Sequence, residues 1–232
     1  MKNKYQRPLQ ADTRFILFTI LICLLIISWK YFGSVSFHES VIVQQWNITV
    51  IPSWTYHFIA TSIFLGVIPF IIQVIFLKKQ SKLNRYRFNI SEHNKINYSV
   101  LLFLSLLFIA LSYNASEQLL FKQEYPYDKN LAGGNFFLYS LFYVIFYYLP
   151  WEYFYRQFIQ TTLLEFSSLA YAISFQVLAS SLAHIGKPPT ETYGAIMGGI
   201  IWGYWAHQNK SILFPLITHA ILGISLDFFI VF

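Results

Sequence analysis

Apolar residues in this chain come in long runs separated by short polar stretches. The runs cover residues 15–29, 54–77, 98–113, 135–150, 167–185, 192–206 and 212–232. The fourth continues past 150 with helical spacing through Trp151, Phe154, Phe158 and Ile159 to residue 164. None alternates with period two, so each predicts a helix. About 20 apolar residues cross the hydrocarbon core of a bilayer, where a backbone must satisfy its polar groups within its own helix. The expected fold class is all-α, a polytopic membrane bundle of about seven transmembrane helices. Residues 1–14 read as a basic tail and 15–120 as a first set of helices. A polar stretch with Pro126, Gly133 and Gly134 leads to a second set over 135–232. No internal repeat or low-complexity tract is visible.

Composition agrees with that pattern. Of 232 residues, 56% are hydrophobic, 20% aromatic and 11% charged, against about 25% charged in soluble chains. A soluble domain of this size leaves roughly 30% of its chain surface in water and could not hide so much apolar area. A soluble enzyme and a disordered chain are excluded, and no nucleic-acid partner is expected. A single cysteine, Cys23, excludes a disulfide framework and a Cys-rich metal site. The net charge of +6 matters through its distribution. Lys2, Lys4, Arg7 and Arg14 precede the first run, six basic residues fill 78–95, and Lys210 precedes the last run. Loops on the other side hold only Lys30, Lys122, Lys129 and Lys187. Positive loops stay inside, so the expectation is a multi-pass plasma-membrane protein, N-terminus cytoplasmic and C-terminus outside. Bulky Trp29, Lys30, Tyr31 and Phe32 follow the first run where a signal peptide needs small residues, so that run reads as an uncleaved span.

An ionisable side chain in a span costs roughly 3 kcal/mol on insertion scales and marks a candidate functional site. The spans before about residue 120 hold almost none, and five in the second half stand out: Glu152, Arg156, His184, His219 and Asp227. Glu152 and Arg156 stand four apart and share a helix face, either as a self-neutralising pair or as a carboxylate held by its guanidinium. Gln176, Ser180 and His184 form a polar stripe at spacings of four, and His219, Gly223 and Asp227 form another. Gly186-Lys187-Pro188-Pro189 ends the fifth helix, with Thr190 as the expected cap of the sixth and Glu191 at its positive end. Gly194, Gly198, Gly199 and Gly203 read as a helix-packing face. A carboxylate and an imidazole on one water supply a general base, and a second imidazole can stabilise an oxyanion.

Three motifs carry a family resemblance. Trp151-Glu152-Tyr153-Phe154-Tyr155-Arg156, Ser180-Ser181-Leu182-Ala183-His184 and His219-Ala220-Ile221-Leu222-Gly223 resemble E-E-x-x-x-R, F-x-x-x-H and H-x-x-x-N. These are the signatures of the CAAX protease and bacteriocin-processing (CPBP) family of glutamic-type intramembrane proteases. His184 to Pro188 with Glu191 is also similar to a bacterial, myxosortase-like subgroup that processes C-terminal sorting signals. The resemblance implies that Glu152 and His184 activate water, His219 stabilises the oxyanion and Arg156 holds Glu152. The first glutamate is replaced by Trp151, the final Asn by Gly223 and the Phe by Ser180. Asp227, Glu191 and Ser180 are the candidates for supporting roles. The implied activity is endopeptidase cleavage of membrane-associated or C-terminally tagged substrates.

The rival readings are a catalytically degenerate scaffold and a proton-coupled transporter, which predicts inverted repeats. A zinc protease of the H-E-x-x-H type fits worse, because Ile42 follows His38-Glu39 where a second histidine is needed. No cofactor is expected. Glu152, His184 and His219 have the donor types for zinc but no close-spaced ligand motif. The expected partners are a membrane peptide or protein substrate and the lipid bilayer. On straight helices His184 and His219 lie towards opposite ends of their spans, so a common site needs tilt, a kink at Pro150 or an inward turn after His184.

Overall fold

The computed structural model describes residues 6–77, 95–165 and 167–232, with only the backbone for 6–12, 76–77 and 95–97. The long helices are α1 (Gln6–Phe32), α3 (53–77), α4 (Lys95–Ser116), α6 (136–163), α7 (Leu169–Ala183), α8 (Pro189–Asn209) and α9 (Leu213–Val231). The short α2 (35–43) and α5 (Leu119–Glu124) cover loops between them. No strand occurs among the described residues. The seven long helices fall on the seven apolar runs. Most of the basic loop expected over 78–95 lies outside the described residues.

Four helices are long and apolar enough to cross a membrane: Thr13–Phe32, Ser53–Ile75, Tyr98–Ser116 and Leu213–Val231. Only 22% of the first is buried, and Ile16, Leu17, Ile20, Leu24 and Ile27 project outward from it. Such a wall of exposed aliphatic residues suits lipid and not water. The polar residues are turned the other way. In α6, every residue from Phe154 to Leu163 is buried, including Arg156, Gln157 and Gln160. This helix is the axis of the bundle, so its polar groups meet protein and not lipid.

The two halves of the sequence share one core. Trp29 of α1 packs edge-on to Trp151 of α6, and Phe18 packs on Phe158. Phe58 of α3 stacks on Tyr143 with centroids 4.7 Å apart. His57, an ionisable residue in the second span that the sequence reading passes over, is buried with Nδ1 2.6 Å from the Gly33 carbonyl.

Pro150 is accommodated by widening α6, through π turns at Val144–Tyr148 and Tyr153–Gln160 on either side of Leu149–Glu152. Proline lacks the N–H that would bond four residues back, to Phe146. Ser62 of α3 supplies the missing donor, its hydroxyl donating to the Phe146 carbonyl at 2.8 Å. π turns of this kind are frequent at functional sites.

Only part of the glycine-rich face of α8 packs as expected. A Cβ at Gly203 would fall 2.6 Å from Gln176 Nε2 and 3.1 Å from Gln160 Oε1, and one at Gly199 would meet Val177. Gly194 faces open space. Gly203→Ala is therefore expected to cost about 1–3 kcal/mol through overpacking. Gly194→Ala is expected to be neutral or slightly stabilising, since alanine is the better helix former. Thermal unfolding of the detergent-solubilised chain compares the two.

Candidate active site

Glu152 follows Pro150 and Trp151 on the axial helix and is wholly buried. Its Oε1 accepts from Nδ1 of His219, on α9, at 2.7 Å. Its Oε2 faces Arg156 Nε at 3.3 Å. Arg156 donates to Gln176 Oε1 on α7, and Gln176 Nε2 donates to the Gly199 carbonyl on α8 at 2.7 Å. One polar relay thus joins four helices. His219 also lies flat on Trp202, centroids 4.3 Å apart, while the Trp202 indole donates to Thr218. The Arg156 guanidinium sits 5.9 Å from the Trp202 ring.

A second cluster surrounds His184, the residue that closes α7. Its ring turns back along the helix, with Nδ1 2.7 Å from the Ser180 carbonyl. A carbonyl only accepts, so Nδ1 carries the proton and Nε2 of the neutral ring is an acceptor. That Nε2 stands 4.0 Å from Glu191 Oε1, in the first turn of α8. Glu191 accepts from the Tyr125 hydroxyl at 2.8 Å, while its buried Oε2 has no hydrogen-bond partner among the described residues.

The turn between α7 and α8 is tied down by two lysines. Lys30 of α1 donates to the Ala183 and Ile185 carbonyls at 2.8 and 2.7 Å. It thereby caps the free carbonyls at the end of α7. Lys187 pairs with Glu124, donates to the Tyr127 hydroxyl at 2.6 Å, and lies near the Tyr125 and Tyr127 rings. Burial pushes the Lys187 pKa down, but Tyr147, Glu191 and Glu124 outweigh that, and it stands above the ordinary lysine value. A raised lysine pKa contributes stability below about pH 10, so this clasp holds at neutral pH and loosens only in strong alkali.

Both clusters open onto one cavity of about 540 Å³, whose lining includes Tyr148, Arg156, His184, Glu191, Trp202 and His219. Trp151 stands between the imidazoles, its ring 5.2 Å from His184 and 6.5 Å from His219. Glu152 lies behind this wall and is not part of the lining.

The sequence-predicted residues therefore meet, with altered pairings. The carboxylate that faces His184 is Glu191, while Glu152 serves His219 and Arg156. Trp151 packs against both imidazoles. Ser180 offers its carbonyl to His184 while its hydroxyl donates to Val177. Asp227, fully buried, accepts from the Tyr139 hydroxyl at 3.0 Å. Thr190 does not cap α8, which begins at Pro189 with no side-chain cap. Among the described residues, no three His, Cys, Asp or Glu side chains gather as a metal-ligand set. Tyr125, Tyr148, Lys30, Glu124 and Lys187 were not singled out from sequence. Only the spacing of four in Tyr139, Tyr143 and Tyr147, all buried, could have pointed to a tyrosine-lined face.

Residues 133–224 match the family model of the Rce1-like type II CAAX prenyl endopeptidases. This stretch is similar to a CAAX-protease-type domain. It holds every motif residue above, from Glu152 to Gly223, and the family is one of membrane proteases. No curated protein and no solved structure matches the chain.

Within this domain Glu152 and Glu191 are expected to behave differently on neutralisation. Glu152→Gln leaves a fully buried guanidinium without its counter-charge, which costs about 3–5 kcal/mol. Glu191→Gln keeps an acceptor for Tyr125, and Lys187 keeps its pair with Glu124, so it should melt within about 1 kcal/mol of wild type. Thermal unfolding in detergent separates them.

Proposed function

We propose that the chain is an intramembrane endopeptidase that hydrolyses peptide bonds in membrane-associated or C-terminally tagged proteins, with His184 and Glu191 activating the water. The observation that carries this reading is the bare Nε2 of His184 facing a carboxylate across 4.0 Å at the edge of the cavity. A gap of that width admits one water about 2.8 Å from each group. The water donates one proton to Nε2 and the other to Glu191, so its lone pairs face the cavity.

A peptide carbonyl entering there is attacked by the water oxygen as His184 takes the proton. The electron pair of the C=O bond moves to the carbonyl oxygen. In its imidazolium form, with Nδ1–H anchored on Glu152, His219 donates Nε2–H to that developing charge. His184 then returns its proton to the leaving amine as the C–N bond breaks, acting as base and then acid. Arg156 keeps Glu152 charged and fixed, and so acts as a positioning residue. With a cytoplasmic N-terminus, the His184 end of the cavity faces the outer side of a bacterial plasma membrane. That orientation suits C-terminal sorting signals of exported proteins.

The test compares new peptide ends in membranes of cells expressing wild type, His184→Ala and Glu191→Gln. The expected result is a set of cuts that fall at least about 100-fold in both variants while both proteins insert and melt normally. Cuts that persist at wild-type levels in His184→Ala overturn the reading in favour of a non-catalytic scaffold.

A further inference from the structure

The last helix lacks a side chain at 223, and the space is not empty. A Cβ placed on Gly223 would collide with the Tyr148 hydroxyl and its ring carbon Cζ. Tyr148 reaches this point from the π turn of α6, one turn ahead of Glu152. Its ring rests against His219, centroids 4.9 Å apart, and against Tyr143 at 4.4 Å. Tyr148, His219 and Gly223 all line the cavity. A phenol has one proton to give, and from this position in the lining, beside His219, it can be given to a group in the cavity.

We propose that Tyr148 is a catalytic residue, its hydroxyl donating to the oxyanion beside His219, and that Gly223 is glycine because this hydroxyl occupies its side-chain position. The inference rests on the peptidase reading above. A charge developing on a carbonyl oxygen needs donors already in place, because in a water-poor cavity each is worth far more than in solvent. His219, as the imidazolium, supplies one. Tyr148 supplies the second from a different helix, and the two rings buttress each other.

The experiment uses the full chain in liposomes and synthetic peptides spanning the cut sites that require His184 in cells. Tyr148→Phe keeps the ring and removes the proton. The expected result is a fall in kcat of about 10²–10³-fold, the loss typical of one oxyanion donor, with KM unchanged. A packing role alone would not split kcat from KM in this way. The exchange Tyr148→Val with Gly223→Asn clears the phenol and brings an amide donor from α9, and is expected to recover part of the lost rate. If Tyr148→Phe does not fold, this exchange decides the matter, since only a donor role predicts that it outperforms Tyr148→Val. Tyr148→Phe cleaving at the wild-type rate while His184→Ala is inactive overturns the donor role and leaves the peptidase reading standing. Cells that show no His184-dependent cut overturn both.

Discussion

The ion pair of Glu152 and Arg156 is the constraint around which this bundle is built. Both groups are buried, and neither could sit in lipid. The pair therefore has to be shielded from the bilayer by protein. Gln176 and His219 complete its contacts, and each comes from a different helix. Burying two charges is rarely the cheapest way to stabilise a core. Here it fixes which helices adjoin and at what height, because a shift of one turn would strand a charge. His219 gains its orientation from that same arrangement.

Much of this could be read from the chain itself. The apolar runs located all seven long helices, because lipid imposes a length and a composition on each span. The ionisable residues at depth were conspicuous against that background, and the first-motif spacing from Glu152 to Arg156 placed both on one face. The partner of His184 was not legible. Glu191 and His184 are separated by a turn containing two prolines, and nothing local fixes how that turn folds. Its shape depends on Lys30 and Lys187, whose partners lie 60 to 155 residues away. The role of Gly223 was equally hidden, since a missing side chain leaves no trace in sequence of what fills its place.

The departures from the family motifs look different once side chains are in view. Trp151 is an absence only in an alignment of letters. In space it is a wall shared by Trp29, Tyr147 and Tyr155, and it packs against the imidazoles of both clusters. The polar groups of this site come from six helices and one turn, so many of them lie outside the motifs.

The salt-bridge-like grip of Lys30 on the end of α7 has a further consequence. Helix α1 holds the backbone beside a histidine more than 150 residues further along the chain. The segment that matches the family model, 133–224, therefore does not contain all that sets this turn. Cut free from the amino-terminal helices, it would keep every motif and lose the scaffold against which the turn after α7 is set.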